Sequence, residues 1–510
     1  MNRPRLVVCC VDGGVAPVVR EHGLFDPGRW FPAHPATPAA PLTSIFPSST
    51  APAHASFLTG AHPERHGVVG NRFWSGEPVA EVLRRRVDPV ETLHPYERTS
   101  LLTGSLLDWF AERGASVAAV HFPHTFSRAE TGIPALHCLY APARRLVVPL
   151  TTDADGVRSG SASTAYFQHP LHLEVRAEGD RFRVGAAHGP ALRLEVGATG
   201  RLDTTNPLGR LSFALTPVRP EADRVELAVG TCVLVLPFGG LAASVLGGPG
   251  PASLTGSYTA NPDHDFHESP RADWIARAAL EVLERHDPDV LLVRFNQADH
   301  AQEFLGWHAT RADPATRSTA LGQIADAYRE IDAGVRVLAD ALGPDADYLF
   351  FSDHGIDWVE NHLRPNEVLA ALGLADRLVF QGDSNCAFLY GDAPPEPAEL
   401  AAITAGLAEL GVRVLDADGL RAWRLPVGGP RVGHLVVTCG AHTEFQYGDG
   451  PATEAVRSAS HGHLPTDPAM SGFFRMSGPG TAGLAPPGRL VDAASVVRAV
   501  WCARRGGDRA

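Results

Sequence analysis

The chain has 510 residues, of which 44% are apolar and 20% are charged, a balance that excludes a largely disordered protein. Its 57 acidic and 44 basic residues give a net charge of −13, which disfavours a protein that binds nucleic acid through general phosphate attraction. No apolar run approaches the roughly 18 residues of a membrane span, so we expect neither a nucleic-acid polymer nor a membrane as partner.

The first predicted element begins almost at the N-terminus. Its apolar run, Leu6 to Val11, is too short for the core of a signal peptide, and no small-residue cleavage site follows. We therefore interpret the run as a buried strand and predict a cytoplasmic protein.

Two features of the composition exclude particular kinds of site and mechanism. The seven cysteines are scattered and form no CxxC pair, so neither a disulfide framework nor a cysteine zinc site is indicated. All the basic residues are arginine, which excludes a mechanism that needs a catalytic lysine.

Short apolar runs alternate with helical patterns in the outer parts of the chain. Runs rich in β-branched or aromatic residues are predicted strands, at Leu6–Val11, Val117–Phe122, Val290–Phe295 and Tyr348–Phe351. Helices are predicted at Leu101–Arg113, Asp273–Arg285 and along an apolar stripe from Leu321 to Leu342. A helix, a short loop and then a buried strand recur in this order, which predicts an α/β fold. We expect a doubly wound, mostly parallel central sheet with helices on both faces.

The middle of the chain follows a different pattern. From 147 to 261 helical periodicity fades, and short alternating runs such as Leu171–Val175 and Val225–Val229 are separated by glycine and proline turns. This alternation predicts an antiparallel, β-rich insertion or cap. We therefore predict a discontinuous core of residues 1–146 and 262–505 with the insertion between its two parts.

Polar residues that suit a metal ion follow three of the predicted strands, and one more lies near the end of the core. In chain order they are Asp12, Asn296, His300, Asp353, His354 and His461. Because ligands of doubly wound sheets bind at the carboxyl ends of the strands, we expect these side chains at one edge. Oxygen ligands mixed with imidazoles suit Zn²⁺ or Mn²⁺. Each residue alone also has a plain explanation, such as a helix cap or a buried histidine.

A second segment, Phe46 to Asn71, carries a candidate nucleophile. Thr50 stands just before a predicted helix, where free backbone N–H groups and the helix dipole favour a nucleophile and an incoming anion. The plain alternative is a threonine that only caps the helix.

Taken together, these segments resemble the alkaline phosphatase superfamily, and within it the type I phosphodiesterase/nucleotide pyrophosphatase branch. The nucleophile segment of that branch reads Thr-x-Pro-x-His, Thr-Gly, x-Pro-Glu-x-His-Gly and Asn, and all of these occur in order from Thr50 to Asn71. The polar residues after the strands match the metal ligands of the branch. The resemblance covers roughly residues 1–125 and 265–480 and leaves out the predicted insertion.

The resemblance implies a metal-dependent hydrolase of small phosphorylated substrates with two divalent ions, Zn²⁺ being favoured and Mn²⁺ the alternative. One ion would be held by Asp12, Thr50, Asp353 and His354, and the other by Asn296, His300 and His461. The hydroxyl of Thr50 would attack phosphorus and form a covalent intermediate, which water then hydrolyses.

Two further residues have implied roles in substrate binding. Asn71 would donate its side-chain N–H to a phosphoryl oxygen. Trp74 would contact the leaving group, and the equally plain alternative is that it anchors a packed loop.

One position departs from the family pattern, which has Asp where this chain has Asn296. An amide oxygen is neutral and a weaker ligand than a carboxylate, so we expect the second metal site to be the weaker one. Asp299 and Glu303 are nearby carboxylates, but only position 296 has the family spacing to His300.

Several functions therefore stay open. Phosphodiesters or nucleotide pyrophosphates are the favoured substrates. The alternatives are a phosphomonoesterase or phosphonate hydrolase on the same core, or a recruited non-hydrolytic protein. Such a protein would bind a phosphorylated ligand or catalyse an unrelated transformation. A sulfatase is disfavoured, because Thr50 and His54 stand where its motif has Cys or Ser and Arg. The oligomeric state is left open.

Overall fold

The computed structural model describes the chain from residue 5 to residue 505 with internal gaps. The described ranges are 5–32, 34, 36–74, 94–127, 132–141, 144–166, 169–207, 209–230, 232–239 and 271–505. The last part of the predicted insertion, from residue 240 onward, lies outside them.

The β-strands of the described residues occur in both outer parts of the chain and throughout its middle. In chain order they are β1 Leu6–Val11, β2 Ala40–Leu42, β3 Val117–Val120, β4 Ala135–Ala141, β5 Arg144–Pro149, β6 Thr151–Thr152, β7 Arg158–Tyr166, β8 His169–Glu178, β9 Arg181–Ala186, β10 Leu192–Glu195, β11 Gly200–Thr205, β12 Arg210–Pro220, β13 Arg224–Val229, β14 Cys232–Phe238, β15 Val290–Phe295, β16 Asp347–Phe351, β17 Asp357–Leu363, β18 Leu378–Gly382, β19 Cys386–Gly391, β20 Arg413–Leu415, β21 Leu435–Thr438, β22 Thr443–Phe445, β23 Thr453–Ser460 and β24 Gly472–Ser477.

The α-helices of the described residues flank the middle of the chain on either side. They are α1 Ala16–His22, α2 Pro27–Trp30, α3 Thr50–Thr59, α4 Pro63–His66, α5 Leu106–Glu112, α6 Ala272–His286, α7 Gln297–Arg311, α8 Pro314–Leu342, α9 Pro365–Ala371, α10 Pro397–Glu409, α11 Ala417–Ala422 and α12 Ala493–Arg504. None of these described helices combines the length and the apolar composition that a membrane crossing requires.

One large sheet organises the structure. Its strand order is β2-β24-β16-β1-β15-β3-β4-β14-β12-β13-β5, with β11 paired to β12. The strands β16, β1, β15, β3 and β4 are parallel, and those outside them pair in antiparallel fashion. The predicted α/β fold is confirmed, with a parallel centre inside a sheet that is mixed as a whole.

The parallel centre is buried on both faces, which explains its continuous apolar runs. Val8 and Cys10 of β1 join a core cluster with Phe57 of α3 and Trp501 of α12. The alternate residues of β1 face the other cluster, which contains residues of α6, α7 and α8. Helices therefore cover both faces of the strands that carry the candidate ligands.

The strands of the middle segment divide between two sheets. The strands β5, β11, β12, β13 and β14 extend the large sheet, whereas β6 to β10 form a separate five-stranded sheet in the order β10-β9-β8-β7-β6. The predicted insertion thus includes strands that continue the central sheet. The division of the chain into core and insertion at residues 147 and 261 stays a prediction.

The apolar stripe predicted from Leu321 lies on the long helix α8. Tyr328, Ile331 and Val335 are buried on it, but Leu321 is 51% exposed, so the stripe meets the core only after its first member. The hydroxyl of Tyr328 accepts a hydrogen bond of 2.9 Å from the backbone N–H of Val15. The helix therefore also holds the loop that follows β1.

Besides His54, four histidines in the N-terminal part of the chain have almost no exposed surface. They are His66, His121, His124 and His137. Burial lowers the pKa of each, and for His124 the pKa falls to about 4. Nε2 of His124 lies 2.8 Å from the carbonyl oxygen of Ala51, so this neutral imidazole ties the first turn of α3 to the loop after β3.

We expect the buried histidines to cost the protein stability as the pH falls from 7.5 to 5.5. The unfolded chain takes up protons on histidine near the usual pKa of about 6.5, whereas folded His124 does so only near 4. Because the unfolded state binds more protons in this window, the free energy of unfolding falls as the pH drops through 6.5 toward 4. His124 alone accounts for about 1.4 kcal/mol of this loss at pH 5.5.

Calorimetric unfolding at the two pH values measures the effect. The variant His124→Gln cannot titrate at this position, so its difference in stability between the two pH values should be smaller by about that amount. An unchanged pH dependence in the variant would contradict a neutral, buried His124.

Candidate active site

The carboxyl ends of three neighbouring parallel strands meet at one edge of the sheet. In the register, Val11 pairs with Phe295, and Cys10 pairs with Phe351. The residues that follow these strands therefore emerge side by side, as expected for a ligand site of a doubly wound sheet.

Asp12 follows β1 and is fully buried. Arg294, inside β15, donates from Nε to Oδ2 of Asp12 at 2.8 Å and also from a terminal guanidinium nitrogen. Burial raises the pKa of Asp12, and the charge of Arg294 opposes that rise. Oδ1 of Asp12 makes no hydrogen bond, so one carboxylate oxygen is available to a ligand.

The sequence analysis did not identify Arg294 as a site residue. It is the charged member of the run Val290–Phe295, which is otherwise apolar and buried throughout. A buried charge in such a strand requires a partner, so this interruption of the apolar run was a usable signal.

Thr50 is the first residue of α3, and Ser49 is the residue that precedes the helix as its N-cap. The plain explanation of Thr50 as a helix cap therefore does not apply. Its buried Oγ1 lies 3.3 Å from Nε2 of His354. The hydroxyl thus faces the ends of the strands from the N-terminus of a ten-residue helix.

His54, one turn further along α3, explains the spacing in Thr-x-Pro-x-His. Its Nδ1 lies 2.9 Å from the carbonyl oxygen of Thr50 and 3.3 Å from Oδ2 of Asp353. Residues four apart lie on the same face of a helix. His54 can therefore contact the carbonyl oxygen of Thr50 and the carboxylate of Asp353 at the same time. It links the helix of the candidate nucleophile to a candidate metal ligand.

Asp353 and His354 follow β16 and are fully buried. The backbone N–H of Gly13 donates to Oδ1 of Asp353 at 3.3 Å. Burial alone would raise the pKa of Asp353, but the neighbouring His354 and His54 lower it below its usual range. This carboxylate is therefore held in its charged form.

The ring of His354 is oriented toward Thr50 and the carboxylates. Its Nδ1 lies 3.2 Å from the carbonyl oxygen of Gly355, which leaves Nε2 toward the site. That Nε2 is 3.5 Å from Oδ1 of Asp12 and 3.5 Å from Oδ2 of Asp353. Histidines that bind metal usually donate one ring N–H to an acceptor such as a backbone carbonyl, and they bind the ion through the other nitrogen.

These three residues fit a divalent cation. One ligand atom from each of Asp12, Asp353 and His354 lies within 4.8 Å of the other two, and all three side chains are buried. Two carboxylates and an imidazole form a donor set that suits Zn²⁺ or Mn²⁺. The unpaired Oδ1 of Asp12 is a buried polar atom that such an ion would satisfy.

The residues predicted for a second ion make two sets of contacts. Nδ2 of Asn296 lies 3.2 Å from Nε2 of His300, at the start of α7. His461 lies against His354, with ring centroids 4.1 Å apart. Ligand atoms of His461, His354 and Asp299 lie within 4.8 Å of one another. The structure thus brings Asp299 to this group, although the sequence analysis favoured Asn296.

Asn71 contacts the helix of Thr50 directly. Its Oδ1 accepts a hydrogen bond of 2.8 Å from the backbone N–H of Ala51. Its own backbone N–H donates to both carboxylate oxygens of Asp383 at 3.0 Å. With Oδ1 engaged, the side-chain nitrogen of Asn71 is the atom that can donate to a ligand.

Asp383 holds the backbone of Asn71, a contact that the sequence analysis missed. It is buried just after β18, in a loop that carries no motif. Its partner Asn71 is more than 300 residues away in the chain, so the sequence offered no local signal for the contact.

Trp74 is partly buried and packs against Tyr390, with ring centroids 5.9 Å apart. Its backbone N–H donates to the Tyr390 hydroxyl at 3.3 Å. These contacts agree with the alternative of a loop anchor, and a contact with the leaving group stays a prediction.

Solved structures share the fold of the chain at low sequence identity. Phosphonoacetate hydrolase from Sinorhizobium meliloti 1021, in complex with phosphonoformate, is 16% identical with a TM-score of 0.51, over 98% of this chain and 96% of that one. An inactive variant of murine ectonucleotide pyrophosphatase/phosphodiesterase 5, in complex with AMP, is 12% identical with a TM-score of 0.52, over 98% and 94%. The human protein of that name is 11% identical with a TM-score of 0.51, over 97% and 93%.

These likenesses establish an alkaline phosphatase-like fold. Among curated proteins, no sequence matches the chain. The profile of the family described as type I phosphodiesterase/nucleotide pyrophosphatase matches residues 37–464, which is most of the chain. The chain therefore belongs to the type I phosphodiesterase/nucleotide pyrophosphatase family, a family of phosphoric ester hydrolases.

Proposed function

We propose that the chain hydrolyses phosphodiesters or nucleotide pyrophosphates through Thr50 as the nucleophile. One observation carries this proposal: the buried hydroxyl of Thr50 lies at the N-terminus of α3 and 3.3 Å from His354, beside the ligand group of Asp12 and Asp353. A nucleophile, a helix N-terminus and a cation site at one point suit transfer of an anionic phosphoryl group.

Asp12, Asp353 and His354 would hold a divalent cation, with Zn²⁺ favoured and Mn²⁺ the alternative. When bound, the ion would supply a lowered pKa for the Thr50 hydroxyl and positive charge for the phosphoryl oxygens. The second ion is expected from the family resemblance, at Asn296, His300 and His461.

The side chains of the chain itself would orient the reaction. The oxygen of Thr50 bonds to phosphorus while the bond from phosphorus to the leaving oxygen breaks. The leaving oxygen takes the electron pair of that bond, and the hydroxyl proton passes to solvent. The N-terminus of α3 stabilises the charge that develops on the phosphoryl oxygens. Asn71, oriented by Ala51 and Asp383, donates its side-chain N–H to one of them. Water then cleaves the threonine ester and restores the hydroxyl.

The family match supports phosphodiesters and nucleotides as the first substrates to test. The murine relative of the same fold binds AMP, which is a further reason to include nucleotides. A phosphomonoesterase, a phosphonate hydrolase and a non-hydrolytic binding protein are the alternatives. Turnover of bis-p-nitrophenyl phosphate, p-nitrophenyl phosphate, nucleotides and phosphonoacetate distinguishes all four.

Removal of the Thr50 hydroxyl should abolish turnover. We expect Thr50→Ala to lower kcat by about three orders of magnitude or more, because the residual reaction has no nucleophile. Thr50→Ser keeps a hydroxyl at the same position and should keep part of the activity. Steady-state kinetics of both variants with the best substrate, at matched thermal stability, provide the measurement. A Thr50→Ala protein within tenfold of the parent would instead point to direct attack by water.

Removal of metal should also abolish turnover, and the loss should be reversible. Dialysis against a strong chelator is expected to lower activity to background, and added Zn²⁺ or Mn²⁺ should restore it. Elemental analysis before and after dialysis provides the control. Full activity in protein shown to be free of metal would exclude a metal-dependent hydrolase.

A further inference from the structure

Asp299 is a buried carboxylate that no predicted role explains. It lies in the first turn of α7, three positions after Asn296, and is 5% exposed. Its Oδ1 makes no hydrogen bond. A buried charge without a partner is costly, so its retention indicates a missing cation or proton.

Gly13 places Asp299 beside the end of β1. A Cβ atom at Gly13, where φ is +64°, would come within 2.9 Å of both Cα and Oδ1 of Asp299. A larger residue would therefore push α7 away from the strand. Because position 13 is glycine, the first turn of α7 can pack against the residue that follows Asp12.

Histidine ligands face Asp299 from the opposite side. Ligand atoms of Asp299, His354 and His461 lie within 4.8 Å of one another. Nδ1 of His461 makes no hydrogen bond, and its Nε2 lies 3.8 Å from Oε1 of Glu303. Glu303 follows Asp299 by one helical turn, so both carboxylates project from one face of α7.

The surrounding charges favour a cation between these groups. Asp12, Asp353 and Glu303 are the other acidic side chains near Asp299. Arg294 is engaged with Asp12 through two donors, so its charge only partly offsets the negative groups. A divalent cation would offset the remaining repulsion between the carboxylates.

We propose that Asp299 supplies the carboxylate ligand that Asn296 lacks, and that a second divalent cation is bound by Asp299 and His461. Nε2 of His354 can bind only one ion at a time, so it remains with Asp12 and Asp353. Glu303, whose Oε1 lies 3.8 Å from Nε2 of His461, is the next carboxylate on the same face of α7. The second site carries negative charge of its own and binds an ion about as tightly as the first, in contrast to the weak site expected from Asn296.

The proposal rests on the metal-dependent function proposed above, but metal binding can be tested without turnover. Metal-free protein is titrated with Mn²⁺, and bound ions are counted by calorimetry and elemental analysis. We expect two ions per chain in the parent protein. Asp299→Asn, which keeps the side-chain shape, should bind one ion and weaken the second at least about tenfold.

Two further variants test whether the loss of the second ion is specific to Asp299. Asp326→Asn is the matched control, because Asp326 is an exposed aspartate on α8 paired with Arg329, and it should bind two ions like the parent. Asn296→Asp should not change the number of ions, because the second site already has its carboxylate.

Two outcomes would overturn the proposal: one ion per chain in the parent, or two ions with unchanged affinity in Asp299→Asn. If Asp299→Asn fails to fold, anomalous diffraction from Mn²⁺-soaked crystals of the parent decides the question. A peak at Asp299 and His461 is expected, and a peak held by Asn296 and His300 without Asp299 would contradict it. Two bound ions together with a fully active Thr50→Ala would refute the proposed function while leaving this site intact.

Discussion

Repulsion between buried carboxylates is the constraint on which the rest of the site depends. Three parallel strands and the helix after one of them place Asp12, Asp353 and Asp299 at the same dry edge. Two like charges 4 Å apart repel by roughly 4 kcal/mol even at an effective dielectric constant of 20. The chain places the guanidinium of Arg294 and the imidazoles of His54 and His354 against these carboxylates.

These partners do not fully neutralise the buried carboxylates. The negative charge that remains connects the architecture of this edge to its proposed function. Arg294 occupies one oxygen of Asp12 and leaves the other free, while His354 presents Nε2 rather than Nδ1. A buried site needs no net charge to bind a divalent ion, but negative charge raises its affinity. One that carries residual negative charge in a dry environment binds such an ion and, through it, an anionic substrate.

Much of the fold and part of the site could be predicted from the sequence, because both depend on local patterns. The strands Leu6–Val11 and Val290–Phe295 were predicted with the bounds that the structure has, since buried parallel strands form continuous apolar runs between polar ends. The polar residues that come directly after those two strands could be located in the sequence from the same pattern. Thr50 was recognisable through a motif whose spacing follows the turn of α3.

The remaining features depend on contacts between distant parts of the chain. Asp299 lies against Gly13 and Asp383 contacts Asn71, and neither local spacing nor composition reveals these contacts. The pairing of β14 with β4 joins the middle segment to the central sheet, and strand pairing over such a separation leaves no local trace. Leu321 fits the apolar period of α8 yet is exposed, because periodicity does not show where a neighbouring element ends.

The most direct test of the account is to trap the covalent intermediate on Thr50. The protein is mixed with bis-p-nitrophenyl phosphate, quenched in acid within one turnover, digested and examined by mass spectrometry. We predict a p-nitrophenyl phosphoryl group on the peptide that contains Thr50, formed with release of one p-nitrophenolate, and its absence in Thr50→Ala. Turnover without any adduct, or an adduct on another residue, would contradict the central claim that Thr50 is the nucleophile of this site.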